Sequence, residues 1–365
     1  MKKAKRIIAV ILTVVMMGFL IVACADEPAP PAPAADDAGT AMGLRGTPDQ
    51  TFYMMQFLSG AEYWWPVYAM FKRAGQHLGV STTFVDTPEY DVQSLLDAFE
   101  MTLARNPTGI MIAPICPDAF IEPINRAIAQ GVAVITYGTD SPMSNRSAFI
   151  TSDNVFEGQF AARQLAYEVG GQGAFMTLRN PGQLNHDTRV DVFRATIEAE
   201  FPGITLLDDV PTNMDVEAAY NAVMTVALMN PELNGVFTPD AQNGMGAARA
   251  AVELGTGIRV LCVDVSETVL DMIIAGEMWG ALNPAQGMQG FWGMLLLFVS
   301  ANPHLIDPMD HRKAFGENPT FIPFMDNGLN IVTAETAEFY FIDRYIEYLG
   351  YNSLSEMLAP YVPGQ

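Results

Sequence analysis

Short apolar segments alternate along the chain with longer segments whose apolar residues recur every three or four positions. A short apolar run bounded by turn residues indicates a buried strand, and the three-to-four spacing indicates an amphipathic helix. Val92–Arg105, for example, places Leu95, Leu96, Phe99 and Leu103 on one helix face. The predicted strands are Thr51–Phe57, Ser81–Val85, Gly109–Ala113, Val132–Tyr137, Gly173–Thr177, Ile204–Val210, Gly235–Thr238, Ile258–Val263 and Trp279–Leu282. The predicted helices are Tyr63–Leu78, Val92–Arg105, Ala119–Gln130, Glu157–Val169, Asp187–Glu200, Val216–Met229, Asn243–Leu254, Val269–Ala275 and Gly287–Ser300.

This alternation predicts an α/β fold, because strands that alternate with helices form parallel sheets covered on both faces. The rhythm runs in two series, which indicates two doubly wound lobes. After Asn283 the chain is expected to return a helix to the first lobe. Asp326-Asn327-Gly328 suits a tight turn, so residues 321–332 are predicted to form a terminal hairpin. A C-terminal helix is predicted over Ala334–Leu349.

The first 24 residues have the pattern of an export signal. Four basic residues between Lys2 and Arg6 precede Ile7–Val22, an apolar run that is short for a membrane span of about 20 residues. The run ends Leu20-Ile21-Val22-Ala23-Cys24, which resembles the bacterial lipoprotein box, where cleavage leaves a lipid-modified cysteine. A membrane anchor with an incidental cysteine is the alternative. Residues 25–48 are rich in Pro and Ala and predict a semi-stiff linker.

Length and charge restrict the function further. The 365 residues suit two domains of about 150 residues each. The formal charge is −22, and loss of the four leader cations leaves 15 basic against 41 acidic residues, or −26. Such a charge argues against nucleic-acid binding, which requires clustered Lys and Arg. Three Cys cannot form a disulfide framework, and no zinc-ligand cluster, P-loop or G-x-S-x-G motif is present.

Polar and aromatic residues follow the predicted strands, which is where parallel sheets bind ligands. Aromatic residues follow the first strand, and Thr139 and Asp140 follow the fourth. In the second series, Asp240 and Asp264 each follow a strand. These residues outline a cleft between the two series.

Several of these segments together resemble the type I periplasmic binding proteins of ABC transporters, sugar-binding branch. The resemblance covers roughly Thr51 to Thr333 and rests on motifs in the family's order. They are Gly109–Pro114 with Asp118-Ala119, Gly131–Tyr137, Ala148–Asn154 with Gly158, Gly235–Asp240 and Val260–Asp264. The family implies two lobes joined by three crossing strands, with a ligand clamped between them. It implies a first lobe of residues 49–152 plus about 285–310, a second of 153–284 plus about 311–334, and a tail of 335–365.

The resemblance also implies ligand-binding residues in the first lobe. The family's aromatic pair after the first strand matches Tyr63 and Trp64, with Trp65 adjacent, and an aromatic ring can stack on a sugar face. Core packing of the tryptophans is the alternative. The family's aspartate after the fourth strand matches Thr139-Asp140, although the family's Asp-Arg pair is missing here. A carboxylate suits vicinal hydroxyls, and a solvated turn aspartate is the alternative.

In the second lobe the resemblance assigns Arg189, Asp240 and Asp264 to the ligand. Arg189 carries a fork of donors and could instead be a surface residue, and each aspartate could instead cap the helix that follows it. The remaining matches are Asn185 and Met214, with core packing as the alternative for Met214, and Asn283 at the third crossing.

The resemblance implies a monomeric, lipid-anchored, extracytoplasmic substrate-binding protein of an ABC importer, with no catalytic activity and no cofactor. Its expected partners are a neutral monosaccharide or related polyol, the transmembrane subunits of a permease and the membrane through Cys24. One alternative keeps the fold but binds a nucleoside or a furanosyl signalling molecule. Another is a sensor that presents its ligand to a receptor. A sugar-modifying enzyme on this scaffold has no motif in its favour. The related DNA-binding regulators require a helix-turn-helix where this chain has its signal sequence.

Overall fold

A computed structural model of the chain describes residues 43–57, 59–60, 62–89, 91–305 and 322–364. Within these residues the chain forms two six-stranded sheets. The first contains β1 (Thr51–Gln56), β2 (Ser81–Asp86), β3 (Gly109–Ile112), β4 (Ala133–Tyr137), β5 (Phe149–Thr151) and β11 (Phe324–Asp326). The second contains β6 (Gly173–Arg179), β7 (Ile204–Pro211), β8 (Leu233–Thr238), β9 (Arg259–Val263), β10 (Gly280–Asn283) and β12 (Asn330–Val332).

The two sheets have equivalent strand orders. The first runs β2-β1-β3-β4-β5-β11 and is parallel throughout. The second runs β7-β6-β8-β9-β10-β12, and its edge strand β12 is antiparallel to β10. This confirms the predicted α/β fold with two doubly wound lobes.

Helices cover both faces of each sheet. Those of the first lobe are α1 (Trp64–Leu78), α2 (Val92–Leu103), α3 (Ile121–Ala129) and α9 (Gln286–Ala301). Those of the second are α4 (Asn154–Glu168), α5 (Leu184–Glu200), α6 (Val216–Met229), α7 (Ala241–Leu254) and α8 (Glu267–Ile274). The helix after Asn283 therefore packs on the first lobe, as predicted.

Side-chain alternation along β1 shows how each sheet separates two cores. Phe52 and Met54 belong to the core beneath α1 and α9, whereas Tyr53 and Met55 belong to the core beneath α2 and α3. Each such buried side chain contributes roughly 1.5–3 kcal/mol through removal of apolar surface from water. The two faces of β1 therefore hold both layers of helices in place.

Every strand and helix predicted between residues 51 and 300 forms, with ends that differ by at most three residues. Four of the five second-lobe helices described above, α4, α5, α7 and α8, begin two or three residues earlier than their apolar periodicity indicates. Capping side chains explain the difference at three of them. Asp153 accepts hydrogen bonds from the amides of Val155 and Phe156, Asp240 caps α7, and Ser266 caps α8.

The hairpin predicted for residues 321–332 is wrong. β11 pairs with β5 in the first sheet, whereas β12 pairs with β10 in the second, so the two strands do not pair with each other. Asn327 lies at the corner between them, where its backbone amide donates to the Thr151 carbonyl and its side chain donates to the Pro284 carbonyl. The Asn-Gly pair therefore turns the chain from one sheet to the other. It completes three crossings, after β5, after β10 and after β11.

The single C-terminal helix predicted for Ala334–Leu349 is also wrong. The chain forms a 3-10 turn at Ala337–Phe339 and then α10 (Ile342–Leu349), followed by α11 (Leu354–Leu358). Ala337 is fully buried in a second-lobe core, and Tyr340 and Phe341 pack against that core. Phe341 is extended, which interrupts the helix.

The end of the chain is fastened to α1. The Lys72 ammonium is buried and donates to the carbonyls of Glu356, Met357 and Ala359 at 2.9, 3.3 and 2.9 Å. Tyr361 forms an antiparallel bridge with Thr82 of β2. The segment after β12 thus contacts the second lobe first and the first lobe afterwards.

Cys24, the leader of residues 1–24, most of the 25–48 linker and Phe321 lie outside the described residues. Among the described residues, no helix is both long enough and apolar enough to cross a membrane.

Candidate functional site

The aromatic residues predicted for the cleft lie at the start of α1, after β1. Trp64 is buried, and its ring packs edge-to-face on Tyr63, Phe57 and Tyr137 at centroid distances of 4.8, 5.4 and 5.6 Å. Trp65 remains half-buried. Trp64 therefore belongs to the first-lobe core, which agrees with the alternative that the tryptophan is a core-packing residue. Its ring also packs edge-to-face against the Tyr63 ring.

Tyr63 lies within electrostatic range of charged residues of the second lobe. Its hydroxyl lies 3.4 Å from Gln289 Oε1, at the start of α9. Burial raises the pKa of Tyr63 well above its usual range, and the negative charge of Asp264 raises it further. Tyr63 and Asp264 therefore lie close enough across the lobe boundary to interact electrostatically.

Asp264 follows β9 in a strained conformation. Its φ is +72°, in the left-handed region that non-glycine residues seldom adopt, and its amide donates to the Leu282 carbonyl at 2.9 Å. Its carboxylate makes no hydrogen bond to any described residue. Burial raises the pKa of Asp264 to about 6, while Arg189 opposes the shift and Glu157 and Asp240 add to it. The backbone thus holds an unpaired acceptor at the lobe boundary, which is a feature of binding sites.

Arg189 lies on α5 and is nearly fully buried. Its Nε donates to a carboxylate oxygen of Glu157, and its Nη1 donates to the Pro239 carbonyl at 3.0 Å. Burial alone would lower the pKa of Arg189, but the negative charges of Glu157 and Asp264 outweigh burial and raise it. Arg189 is therefore a permanently charged group beside Asp264, already paired with another carboxylate.

Asp240 is a helix cap, which agrees with the alternative stated for it. Oδ1 accepts from the Asn243 amide at 2.9 Å, and Oδ2 accepts from the side chains of Asn180 and Asn243 at 2.7 and 2.8 Å. Asn180 also contacts His186 Nδ1 at 2.9 Å, and burial lowers the pKa of His186 to about 3. Both carboxylate oxygens of Asp240 therefore accept hydrogen bonds from residues of its own lobe.

Asp140 is occupied in the same way. Its carboxylate accepts from the Thr136 hydroxyl at 2.6 Å, from the Ser141 amide at 2.8 Å and from Arg146 Nη2 at 2.6 Å. The Thr139 hydroxyl donates to the Pro114 carbonyl at 2.8 Å. Both side chains lie at the end of β4, where they were predicted, but their polar atoms bind protein groups.

The remaining predicted residues occupy different surroundings. Asn283 is buried at the end of β10 against Tyr340, and its Oδ1 has no hydrogen-bond partner among the described residues. Met214 is 37% exposed in the loop after β7, with a φ of +62° and its amide bound to Asn180 Oδ1. Asn185 is half-buried in the first turn of α5. The structure therefore brings Tyr63, Asp264 and Arg189 together.

Sequence reasoning missed Glu157, Ser152 and Gln289. Glu157 is fully buried in the first turn of α4 and joins Arg189 to the Ser152 hydroxyl, which lies at the first crossing. Gln289 is buried between Tyr63 and the Ile150 carbonyl. Glu157 lies in the first turn of α4, where an acidic residue is common and gives no local signal of a binding site. Its contact with Arg189 of α5 forms only in the folded protein.

The lobes also touch directly beside these residues. Glu62 of the first lobe accepts a hydrogen bond from the Glu267 amide at 3.0 Å, at the N-terminus of α8. Glu267 in turn accepts from the Ile342 amide at 2.8 Å. A cavity of about 30 Å³ lies among Glu62, Glu267, Gln286 and Tyr340. This hydrogen bond therefore joins the two lobes beside Tyr63 and Asp264.

Comparison with known proteins identifies the scaffold. The model of the periplasmic binding protein domain matches residues 52–302. The chain belongs to the periplasmic binding protein family. Among curated relatives of this family, it is 26% identical over 256 residues to the D-allose-binding periplasmic protein of Escherichia coli K12, covering 65% of this chain and 80% of that protein.

Solved structures of the family give the same result. The arabinose-binding protein AraP of Geobacillus stearothermophilus has a TM-score of 0.76 and 27% identity, covering 80% of this chain and 99% of AraP. The sugar-binding protein of a sugar ABC transporter from Bacillus halodurans has a TM-score of 0.75 and 28% identity, covering 80% and 100%. These family members are binding proteins rather than enzymes, which confirms the prediction that the chain is not an enzyme.

Proposed function

We propose that this protein binds a neutral monosaccharide or related polyol between its two lobes. The observation that carries the proposal is the Asp264 carboxylate, which accepts no hydrogen bond from any described residue and whose negative charge acts on the Tyr63 hydroxyl across the lobe boundary. A carboxylate accepts hydrogen bonds from adjacent hydroxyls, and an aromatic ring covers the apolar face of a sugar. The allose-binding and arabinose-binding relatives support the same class of ligand.

Ligand binding would couple to closure of the lobes. Tyr63 belongs to the first lobe and Asp264 to the second, so a ligand that contacts both makes its full set of contacts only in the closed form. Such differential contacts shift the population toward closure. The hydrogen bond between Glu62 and Glu267 also joins the lobes in this arrangement.

The closed form would deliver its ligand to the permease of an ABC importer, and Cys24 would hold the protein on the outer face of the membrane. The B. halodurans relative, which is the sugar-binding protein of an ABC transporter, supports the importer, and the lipoprotein-like segment Leu20–Cys24 supports the anchor. Labelling of cells with radioactive palmitate tests the anchor. The wild-type chain is expected to take up label and Cys24→Ser is expected to take up none.

A thermal-shift screen followed by calorimetry tests the ligand. D-allose, L-arabinose, D-ribose and D-xylose are compared with adenosine and with amino acids. A neutral sugar is expected to raise the melting temperature and to bind with one-to-one stoichiometry. A response to adenosine alone would move the ligand to the nucleosides and refute the sugar proposal.

A further inference from the structure

Glu157 is a buried carboxylate beside the candidate site, and it is not among the residues predicted from the sequence to bind the ligand. It is fully buried, and its two oxygens have different partners, Ser152 on one side and Arg189 on the other. The neighbouring residue, Gly158, explains how it reaches Arg189. A Cβ at Gly158 would lie 2.6 Å from the Arg189 carbonyl, so α4 and α5 touch backbone to backbone at this point.

The pair changes the electrostatics of the cleft. Arg189 is the cation beside Asp264, and without Glu157 these two charges would compensate each other. With Glu157 present, Arg189 is shared between two carboxylates, and the group of three carries a net negative charge when Asp264 is ionised. Charges interact strongly in such buried surroundings, because little water screens them.

We propose that Glu157 is a specificity-determining residue, which fixes the Arg189 guanidinium and cancels its charge so that the cleft accepts neutral polyols and rejects sugar carboxylates. This inference rests on the proposed function, because it concerns which sugars the same cleft accepts. Glu157 acts through Arg189 and is therefore a positioning residue. Its link to Ser152 also ties the position of Arg189 to the first crossing between the lobes.

The decisive variant is Glu157→Gln in the full chain, which keeps the shape of the side chain and removes its charge. Calorimetry with D-glucose and D-glucuronate, and with D-galactose and D-galacturonate, measures the ratio of neutral to anionic affinity. The ratio is expected to fall by about tenfold, because the charge of Arg189 becomes available to a ligand carboxylate. Glu198→Gln, the same change at an exposed position of α5, is the control and is expected to leave the ratio unchanged.

The pH dependence of sugar binding gives a second readout, which would not change if Glu157 had only a structural role. The charged and titratable groups that act on Asp264 or respond to it are Arg189, Glu157, Asp240, Tyr63 and Cys262. Because the charge of Glu157 raises the pKa of Asp264, its removal is expected to move the pH midpoint of sugar binding downward in Glu157→Gln. Glu157→Asp, which restores the charge, is expected to return the midpoint toward the wild-type value.

Each result decides the inference. If Glu157→Gln binds sugars with an unchanged ratio and midpoint, the inference is wrong and the proposed function stands. If the wild type binds none of the neutral sugars, the proposed function fails and the inference fails with it. If Glu157→Gln does not fold, Ser152→Ala takes its place, because it removes the hydroxyl that holds the Glu157 carboxylate, and it is expected to lower the ratio by a smaller factor. An unchanged ratio in Ser152→Ala would overturn the inference.

Discussion

The buried Asp264 carboxylate is predicted to destabilise the ligand-free protein. Its pKa rises from 3.8 to about 6 on folding, mainly through burial. A group whose pKa is higher in the folded state stabilises the fold at low pH, and this contribution is lost as the pH rises through about 6. One pKa unit is worth about 1.4 kcal/mol, so at pH 7.5 the ionised carboxylate costs the free protein about 3 kcal/mol.

Asp264→Asn isolates this cost. Asparagine tolerates the left-handed φ of +72° better than alanine would, so the change removes the charge with little added backbone strain. At pH 7.5 the free energy of unfolding is expected to rise by about 3 kcal/mol, which corresponds to a melting temperature higher by roughly 6 °C. Sugar affinity is expected to fall about 100-fold, because the ligand loses hydrogen bonds to a charged acceptor.

Denaturant titration and calorimetry measure the two effects on the same samples. Asp140→Asn is the matched control, because its carboxylate is paired with Arg146 within the first lobe. That variant is expected to lose stability and to keep its sugar affinity within about threefold. A less stable Asp264→Asn protein that still binds sugar would refute the reasoning, since Asp264 would then be a structural residue rather than a ligand acceptor.

Three further predictions concern the pH dependence of sugar binding, the Tyr63 ring and the attachment of the chain end by Lys72. Sugar affinity of the wild type is expected to fall as the pH drops from 7.5 to 5, because protonation of Asp264 near pH 6 removes the hydrogen-bond acceptor. Calorimetry across this pH range measures the affinity, and a rise in affinity at low pH would contradict the role given to Asp264. Tyr63→Ala is expected to weaken sugar binding by about tenfold, whereas Tyr63→Phe is expected to leave it nearly unchanged, because the aromatic ring contributes more than the 3.4 Å contact of the hydroxyl. Equal losses of affinity in the two variants would contradict a role for the ring in sugar binding. Lys72→Met is expected to destabilise the fold by about 2–4 kcal/mol and to expose residues 350–364 to protease, because three carbonyls, one buried and two partly buried, lose their donor. Arg73→Met is the control and is expected to do neither.

Much of the fold could be predicted from the sequence, because it rests on local pattern. Apolar strands such as Gly109–Ile112 and amphipathic helices such as Val92–Leu103 have periodicities that do not depend on distant contacts. The terminal segment was not predictable in this way. Asn327-Gly328 has the composition of a hairpin turn, but β11 and β12 find better partners in two different sheets.

The site was predictable by position but not by role. Asp140, Asp240 and Asp264 all follow strands, and nothing in their local sequence separates them. The distinction comes from neighbours distant in the chain, since Asn180 satisfies Asp240 while no described residue donates to the side chain of Asp264. Glu157 has no local signal either, because its function depends on the close approach of α4 to α5. These differences depend on tertiary contacts, which pattern alone does not contain.

The most direct test of the account is a crystal structure of the protein with its best-binding neutral sugar. We expect a sugar ring between the lobes, with adjacent hydroxyls bound to the Asp264 carboxylate and the Tyr63 ring packed against one face of the sugar. A sugar that contacts one lobe alone, or that leaves Asp264 without a ligand hydroxyl, would contradict it.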